Sequence, residues 1–207
     1  SFQFKMIKKD DCSFFDKNFE KHLNERRYNK RTNFTSDIPC LIMEDFNTTG
    51  ITGDPEKLDE ETDSGERNNW YYFLHDFGGK SKLEDHTKGG SEGEGMQTFM
   101  LNSGISTFFG LSIDSTNNNR ASIFGMSYFG SRKVDGLRYG VFASFGKEKE
   151  IDGNSECVPE NDPTKVKNFI TLFGLKRGIS DSGTSIIIPF YNREEIDEKF
   201  IIQKLLD

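Results

Sequence analysis

The sequence has 207 residues, 33% of them hydrophobic and 20 of them phenylalanine, so we expect a single domain over residues 1–207 built on one core. The formal net charge of -7 and the pI near 5.1 argue against direct nucleic-acid binding, which needs a basic surface. No stretch reaches the roughly 18 apolar residues of a membrane span, and no signal peptide is recognisable, so we expect no membrane contact and a cytoplasmic location.

The first three predicted elements are a strand, a helix and a strand. Residues 2–8 alternate in polarity, as in a strand. Apolar residues recur at every fourth position between residues 13 and 27, which predicts an amphipathic helix. Residues 39–44 are almost continuously apolar and predict a second strand.

A long polar region follows the second strand. Residues 54–67 are strongly acidic and poor in apolar side chains, so we expect a mobile loop there. A short helix is predicted around residues 68–77, and a second polar stretch then leads into a helix from about Met96 and a strand from about Ile105.

The next region is rich in β-formers. Residues 120–130 and 137–146 are separated by a short turn, so they are predicted to be antiparallel neighbours. Residues 147–163 are polar and contain two prolines, which indicates an insertion.

The last elements alternate between helix and strand. We expect Thr164 to cap a helix that ends near Phe173, residues 184–190 to form an apolar strand, and residues 193–206 to form an amphipathic helix. The order of elements predicts an α+β fold, with a mostly antiparallel mixed sheet and helices on one face.

The cysteines do not have the spacing of a metal site or of a CxxC motif. They are odd in number and far apart in sequence, so we interpret them as free thiols in a reducing compartment: Cys12, Cys40 and Cys157.

Three separate segments carry residues suited to binding a ligand. Asp45 ends an apolar strand and begins the turn DFNTTG, which includes Asn47 and Gly50. The segment GSEGEG, residues 90–95, is a GxxGxG loop that leads directly into a helix. Gly183 and Thr184 begin the last apolar strand.

The chemistry of these segments fits a nucleotide. Backbone N–H groups of a glycine-rich loop before a helix can surround phosphates, and the helix N-terminus adds partial positive charge. A carboxylate such as Asp45 accepts hydrogen bonds and can therefore bind the exocyclic amine of adenine, and the Thr184 hydroxyl can join it. Taken singly, each segment is also typical of an ordinary turn.

The three segments together resemble the GHKL ATPase superfamily, whose Bergerat fold occurs in gyrase B, MutL, Hsp90, MORC proteins and histidine kinases. The resemblance covers about residues 38–190. DFNTTGITGD resembles the DxGxG box, GGSEGEGM the GxxGxG box, and RGISDSGTSIIIPF the terminal Gly-Thr strand. It implies a two-layer sandwich with a polar lid over about residues 53–92.

The resemblance also implies roles for individual residues. Asp45 would bind adenine, and Asn47, Gly50 and Thr184 would line the nucleotide pocket. The phosphates would lie against the glycine-rich loop, at Gly90, Ser91, Gly93 and Gly95.

This chain departs from the family pattern in several places. Asn47 stands where glycine is usual, which Asn tolerates because it accepts left-handed geometry. Met96 stands where similar sequences have lysine. The Glu-x-x-x-Asn box, whose Glu activates water and whose Asn holds Mg²⁺, has one match at Glu20 and Asn24. That helix follows the first strand instead of preceding it, so the alternative is a box upstream of Ser1.

The resemblance implies binding and hydrolysis of ATP with Mg²⁺, with lid closure or homodimerisation on nucleotide binding and with further domains of a larger protein as partners. Two alternatives stay open. The first is a nucleotide-binding or interaction module that has lost hydrolysis. The second is an unrelated α+β domain in which every glycine serves a turn.

Overall fold

The computed structural model describes residues 1–8, 11, 17–26, 37–75 and 94–191, and the statements about structure below concern these residues. It contains ten strands and four helices there. In chain order they are β1 (Phe2–Ile7), α1 (Lys17–Asn24), β2 (Ile38–Glu44), α2 (Asn69–Leu74), α3 (Glu94–Leu101), β3 (Thr107–Asp114), β4 (Arg120–Tyr128), β5 (Arg132–Val134), β6 (Leu137–Tyr139), β7 (Phe142–Phe145), β8 (Lys147–Ile151), β9 (Asn154–Val158), α4 (Pro163–Phe173) and β10 (Gly183–Pro189).

Six of the strands form one sheet in the order β1-β2-β10-β3-β4-β7, and every neighbouring pair is antiparallel. The structure therefore confirms an α+β protein with a mostly antiparallel sheet. The remaining strands pair as two hairpins, β5 with β6 and β8 with β9.

The helices pack on both faces of the sheet, so the expectation of helices on one face of a two-layer sandwich was wrong. Helices α1 and α4 cover one face, here called the α1/α4 face, and helices α2 and α3 cover the other, the α2/α3 face. Strand residues alternate between the faces: Ile42 packs on the α1/α4 face and Leu41 on the α2/α3 face. The near-continuous apolar runs of β2 and β3 are typical of strands covered on both sides.

The two ends of the sheet differ and are named here because the site lies at one of them. At the Asp45 end, β2 stops at Glu44 opposite Ser185, and β10 begins at Gly183 opposite Ile113. At the far end, β2 begins at Ile38, β10 stops at Pro189, and β4 leads into the β5–β6 hairpin.

Strands β4 and β7 are antiparallel neighbours, as predicted, but a further hairpin lies between them. Its turn at Asp135 and Gly136 has positive φ at both positions, which suits a tight hairpin turn. The segment 147–163, expected to be an insertion, contains the β8–β9 hairpin and the start of α4.

Helix α4 is capped by Asp162, and the expectation of a Thr164 cap was wrong. The Asp162 carboxylate accepts hydrogen bonds from the backbone N–H groups of Thr164 and Lys165, both at 2.9 Å. Pro163 occupies the first helical position, where its missing N–H costs nothing. The helix predicted at 193–206 lies outside the described residues.

The acidic segment 54–67, expected to be a mobile loop, is held by one buried side chain. The Asn68 amide donates to the carbonyls of Asp54, Lys57 and Asp59 and accepts from the Asp54 N–H. Asn68 is fully buried, and its hydrogen bonds act together with the ion pairs of Glu56 to hold the segment.

Two expectations from the sequence concern the cysteine thiols and membrane-spanning helices. Cys40 and Cys157 are not bonded to each other, burial raises the pKa of Cys157 to about 11, and Cys12 lies outside the described residues. Within the described ranges, no helix has the length and apolar character to cross a membrane.

Candidate functional site

Asp45 lies immediately after β2, where the chain leaves the sheet. Its N–H donates to the Thr184 carbonyl at 3.0 Å, which continues the β2–β10 pairing by one residue. Its side chain is 53% exposed, whereas the preceding residue, Glu44, is buried. The strand thus ends by turning a carboxylate outward.

The two oxygens of the Asp45 carboxylate have different surroundings. Oδ1 accepts the backbone N–H of Thr184 and the hydroxyl of Thr48 at 3.2 Å, and it lies 3.4 Å from an Arg177 guanidinium nitrogen. Among the described residues, Oδ2 has no hydrogen-bond partner. The carboxylate is therefore held through one oxygen and offers the other as an acceptor.

The turn after Asp45 has the backbone geometry that its residue types predict. Asn47 has a φ of 61°, so this position does adopt the left-handed conformation that Asn tolerates. Gly50 has a φ of 76°, and a Cβ built there would collide with the carbonyl oxygen of Ile113. Both the dihedral angle and the close approach require glycine at position 50.

A pair of hydroxyls lies beside the carboxylate. Ser112 Oγ and Thr184 Oγ1 are 3.3 Å apart, and Ser112 Oγ also accepts the Ile51 N–H at 2.7 Å. Sequence reasoning found Thr184 but missed Ser112. The available signal was the hydroxyl of Ser112 near the end of TFFGLSID, a strand whose residues are mostly apolar and all buried.

A second, buried carboxylate lies behind the site. Glu44 accepts the backbone N–H groups of Lys176 and Arg177 at 3.0 and 3.2 Å and the hydroxyl of Ser185 at 3.0 Å. These bonds fix the loop after α4 against the end of β2. Sequence reasoning did not single out Glu44, although an acid inside an apolar strand is itself unusual.

The Arg177 side chain is fully buried at the same place. Its guanidinium donates to the carbonyls of Asp45, Thr184 and Asp181 and to the Ser185 hydroxyl. Burial lowers the pKa of Arg177, while the charges of Asp45, Glu44 and Asp181 act in the opposite direction. Because an arginine stays protonated in proteins, a buried positive charge lies next to Asp45.

The turn after Asp45 and helix α3 belong to the same face of the sheet. Ile51 packs against the α2/α3 cluster, and the Asn69 amide at the start of α2 donates to the Thr52 hydroxyl at 2.6 Å. Gly95 lies in the first turn of α3, whereas Gly90, Ser91 and Gly93 lie outside the described residues. The helix that follows the GxxGxG loop is thus placed on the side to which the Asp45 turn folds.

Met96 is a core residue. Only 4% of it is exposed, and it belongs to the apolar cluster of the α2/α3 face. An apolar side chain therefore fits this buried position.

The structure does not bring Glu20 and Asn24 to this site. Helix α1 packs on the α1/α4 face through Leu23, and its residues His22 and Lys21 bond to Arg132 and Asp135 at the far end of the sheet. Both the face and the end of the sheet are therefore opposite to those of the Asp45 turn. The predicted roles of Glu20 as a base and Asn24 as a Mg²⁺ ligand are not supported.

Within the described part of the chain, no three His, Cys, Asp or Glu side chains cluster closely enough to hold a metal ion. No family model, curated protein or solved structure matches the chain. The case for function therefore depends on the site itself.

Proposed function

We propose that this chain binds ATP, with the adenine at Asp45 and the phosphates toward the GxxGxG segment before α3, as the GHKL resemblance implies. The observation that carries the proposal is the asymmetric Asp45 carboxylate, with Oδ1 bound by Thr184 N–H and Oδ2 open. An open carboxylate oxygen accepts an N–H group, so it favours the exocyclic amine of adenine over the carbonyl oxygen of guanine.

The neighbouring groups fit the same ligand. The Ser112 and Thr184 hydroxyls can donate to the ring nitrogens of adenine, which accept hydrogen bonds. Gly50 lets the backbone of the turn approach closely.

Mg²⁺ enters the proposal only as the ion that accompanies the nucleotide phosphates. The one protein ligand that the sequence suggested, Asn24, lies at the far end of the sheet on the other face. Lid closure by residues 53–92, homodimerisation and attachment to further domains remain parts of the proposal, whereas a two-layer Bergerat sandwich does not, because helices cover both faces of the sheet.

A second candidate function is nucleotide binding without hydrolysis. The placement of α1 favours it, because Glu20 is not positioned to activate water at the Asp45 site. Under this proposal the chain would act as a nucleotide-dependent interaction module.

The first test is calorimetric titration with AMP-PNP and Mg²⁺ of the wild-type chain and of the variant Asp45→Asn. We expect the variant to bind at least about tenfold more weakly, because its amide nitrogen would face the adenine amine, donor against donor. Asp135→Asn is the matched control, since Asp135 is an exposed carboxylate paired with Lys21 at the far end. Absence of wild-type binding, or equal binding by Asp45→Asn, would overturn the proposal.

Phosphate release from ATP separates the two candidate functions. Turnover that Asp45→Asn loses and Glu20→Gln keeps would show hydrolysis by a base other than Glu20. Binding without turnover would favour the second function, and loss of turnover in Glu20→Gln alone would contradict the placement of α1.

A further inference from the structure

Arg177 differs from the other residues of the site because its charge is buried while the carboxylate that it contacts is half exposed. Its guanidinium bonds to the backbone carbonyls of both residues that meet at the strand ends, Asp45 and Thr184. It also lies 3.4 Å from Asp45 Oδ1. One side chain thus contacts the main chain of β2 and β10 and the carboxylate between them.

We propose that Arg177 is the positioning residue that sets the base specificity of the site, a role that rests on the proposed binding of adenine at Asp45. The guanidinium draws Oδ1 inward, and the Thr184 N–H binds the same oxygen. Because a carboxylate is planar, holding Oδ1 in this way turns Oδ2 toward the ligand. Arg177 acts through Asp45 and does not touch the nucleotide.

The geometry of the guanidinium explains why this position holds an arginine. Its nitrogens bond in three directions: to Ser185 through Nε, to Asp181 through Nη1, and to the Asp45–Thr184 junction through Nη2. A lysine ammonium is a single point donor and cannot span these acceptors, so Arg→Lys is not conservative here. The ring of Phe46, 4.8 Å from the guanidinium carbon, covers the cation on one side.

The backbone of Arg177 is fixed independently of its side chain. Glu44 accepts the Arg177 N–H at 3.2 Å, and Asp181 accepts the Gly178 N–H at 2.8 Å, which closes the loop. Glu44 and Asp45 are consecutive, so the residue that anchors the Arg177 backbone adjoins the residue that its side chain orients. Substitution of the side chain therefore tests positioning with the loop anchor still present.

The test is the ratio of affinities for AMP-PNP and GMP-PNP, both with Mg²⁺, measured by calorimetry. We expect the wild-type chain to prefer AMP-PNP by about tenfold or more, and Arg177→Lys to reduce the preference to about twofold. A merely structural role would weaken the binding of both nucleotides equally and leave their ratio unchanged. An unchanged ratio in a folded Arg177→Lys would overturn the inference.

Arg132→Lys is the matched control. Arg132 is a buried guanidinium at the far end that also bonds to loop carbonyls, those of Gly130 and Gly140, so its substitution is expected to lower stability and keep the ratio. If Arg177→Lys does not fold, Phe46→Leu loosens the same guanidinium from a half-buried position. A reduced ratio in Phe46→Leu would then support the inference, and an unchanged ratio would overturn it.

The two proposals fail in distinguishable ways. If the wild-type chain binds neither nucleotide, or if Asp45→Asn binds AMP-PNP as tightly as the wild type, both the proposed function and the inference are overturned. If the wild-type chain prefers adenine in a way that depends on Asp45, and Arg177→Lys keeps this preference, only the inference is overturned.

Discussion

The two ends of the sheet each contain a buried arginine that bonds to loop carbonyls, but only at the Asp45 end does that arginine also contact a carboxylate. At the far end, Arg132 donates to the carbonyls of Gly130 and Gly140 and to Nδ1 of His22. At the Asp45 end, Arg177 bonds to similar carbonyls but also contacts a carboxylate whose second oxygen is open.

The comparison shows that a buried cation alone does not indicate a site. At the far end its acceptors are backbone carbonyls and a neutral imidazole nitrogen, which it satisfies, and that arrangement closes a hairpin. At the Asp45 end it holds one oxygen of a two-oxygen acceptor, so an acceptor remains for a ligand. The feature that separates a structural cluster from a candidate site is the acceptor left over.

The largest expected difference in stability between variants at the two ends is that between Gly50→Ala and Gly136→Ala. Both glycines have positive φ, 76° and 87°, so both variants carry the cost of a left-handed alanine, about 1 kcal/mol. Only Gly50→Ala also collides with the Ile113 carbonyl, whereas Gly136 faces open space. We expect a total loss of about 3 kcal/mol for Gly50→Ala in urea unfolding.

The same pair of variants reports on the site. Gly50→Ala is expected to weaken AMP-PNP binding because the turn after Asp45 must shift, while Gly136→Ala is expected to bind like the wild type. Equal losses of stability in the two variants would mean that the contact with Ile113 does not constrain the turn.

An intermediate effect is expected from Glu56→Gln, near the Asp45 end. Hydrogen bonds from Lys147 and Lys149 lower the pKa of Glu56 from 4.5 to about 2, and Arg120 adds an ion pair at 2.8 Å. A carboxylate with a lowered pKa stabilises the fold above pH 4.5, and this contribution is lost as the pH falls toward 2. We expect Glu56→Gln to cost about 1 kcal/mol at pH 7, because the lysines are partly exposed.

Urea unfolding at pH 7, 4.5 and 3 tests this prediction. The wild-type chain should lose more stability between pH 4.5 and 3 than Glu56→Gln does. Glu150→Gln removes the same charge at an exposed position of β8, the strand that carries Lys147 and Lys149, and is expected to behave like the wild type. If both variants responded alike, net charge and not the cluster around Glu56 would account for the change.

The smallest effect is expected at the far end, from His22→Asn. Burial, and next the charge of Arg132, lower the pKa of His22, whose Nδ1 accepts the Arg132 Nε–H at 2.9 Å. The unfolded chain binds a proton at His22 near pH 6.5, whereas the folded chain binds it only at a lower pH. The contribution of His22 to stability is therefore present above pH 6.5 and is lost as the pH falls below it.

The amide oxygen of the introduced asparagine side chain can replace Nδ1 as the acceptor, so the variant should match the wild type within about 0.5 kcal/mol at pH 7.5. Between pH 7.5 and 5.5 the wild type should lose more stability than the variant in thermal unfolding. His75, whose pKa is also lowered by burial, titrates in both chains, so its contribution cancels when the pH responses of the wild type and the variant are compared. An identical pH response would show that His22 does not couple to folding.

Local patterns in the sequence predicted much of the fold and part of the site. The apolar runs predicted β2, β3 and β10, and the sequence DFNTTG predicted a turn at a strand end with Asp45 at its start. The left-handed conformation of Asn47 follows from residue type, whereas the need for glycine at position 50 also depends on the distant carbonyl of Ile113. These predictions succeeded because strand burial and turn geometry depend on neighbouring residues.

Predictions that depended on distant contacts failed. The periodicity of α1 indicated an apolar stripe but not which face or end of the sheet would receive it, so Glu20 and Asn24 were assigned to the wrong place. Thr164 was chosen as a cap because the proline before it was not recognised as the first helical residue. The residues around Arg177 come from three separate segments and have no shared motif.

The sequence by itself determined an α+β protein whose second strand ends at Asp45 in a glycine-containing turn, because these features follow from polarity patterns and backbone preferences. Only the tertiary structure decided that helices cover both faces, that Ser112 and Thr184 meet, and that Arg177 and Thr184 hold one oxygen of Asp45 while leaving the other open. The physical reason is that hydrogen bonds between segments more than 60 residues apart depend on sheet register, which sequence patterns do not specify.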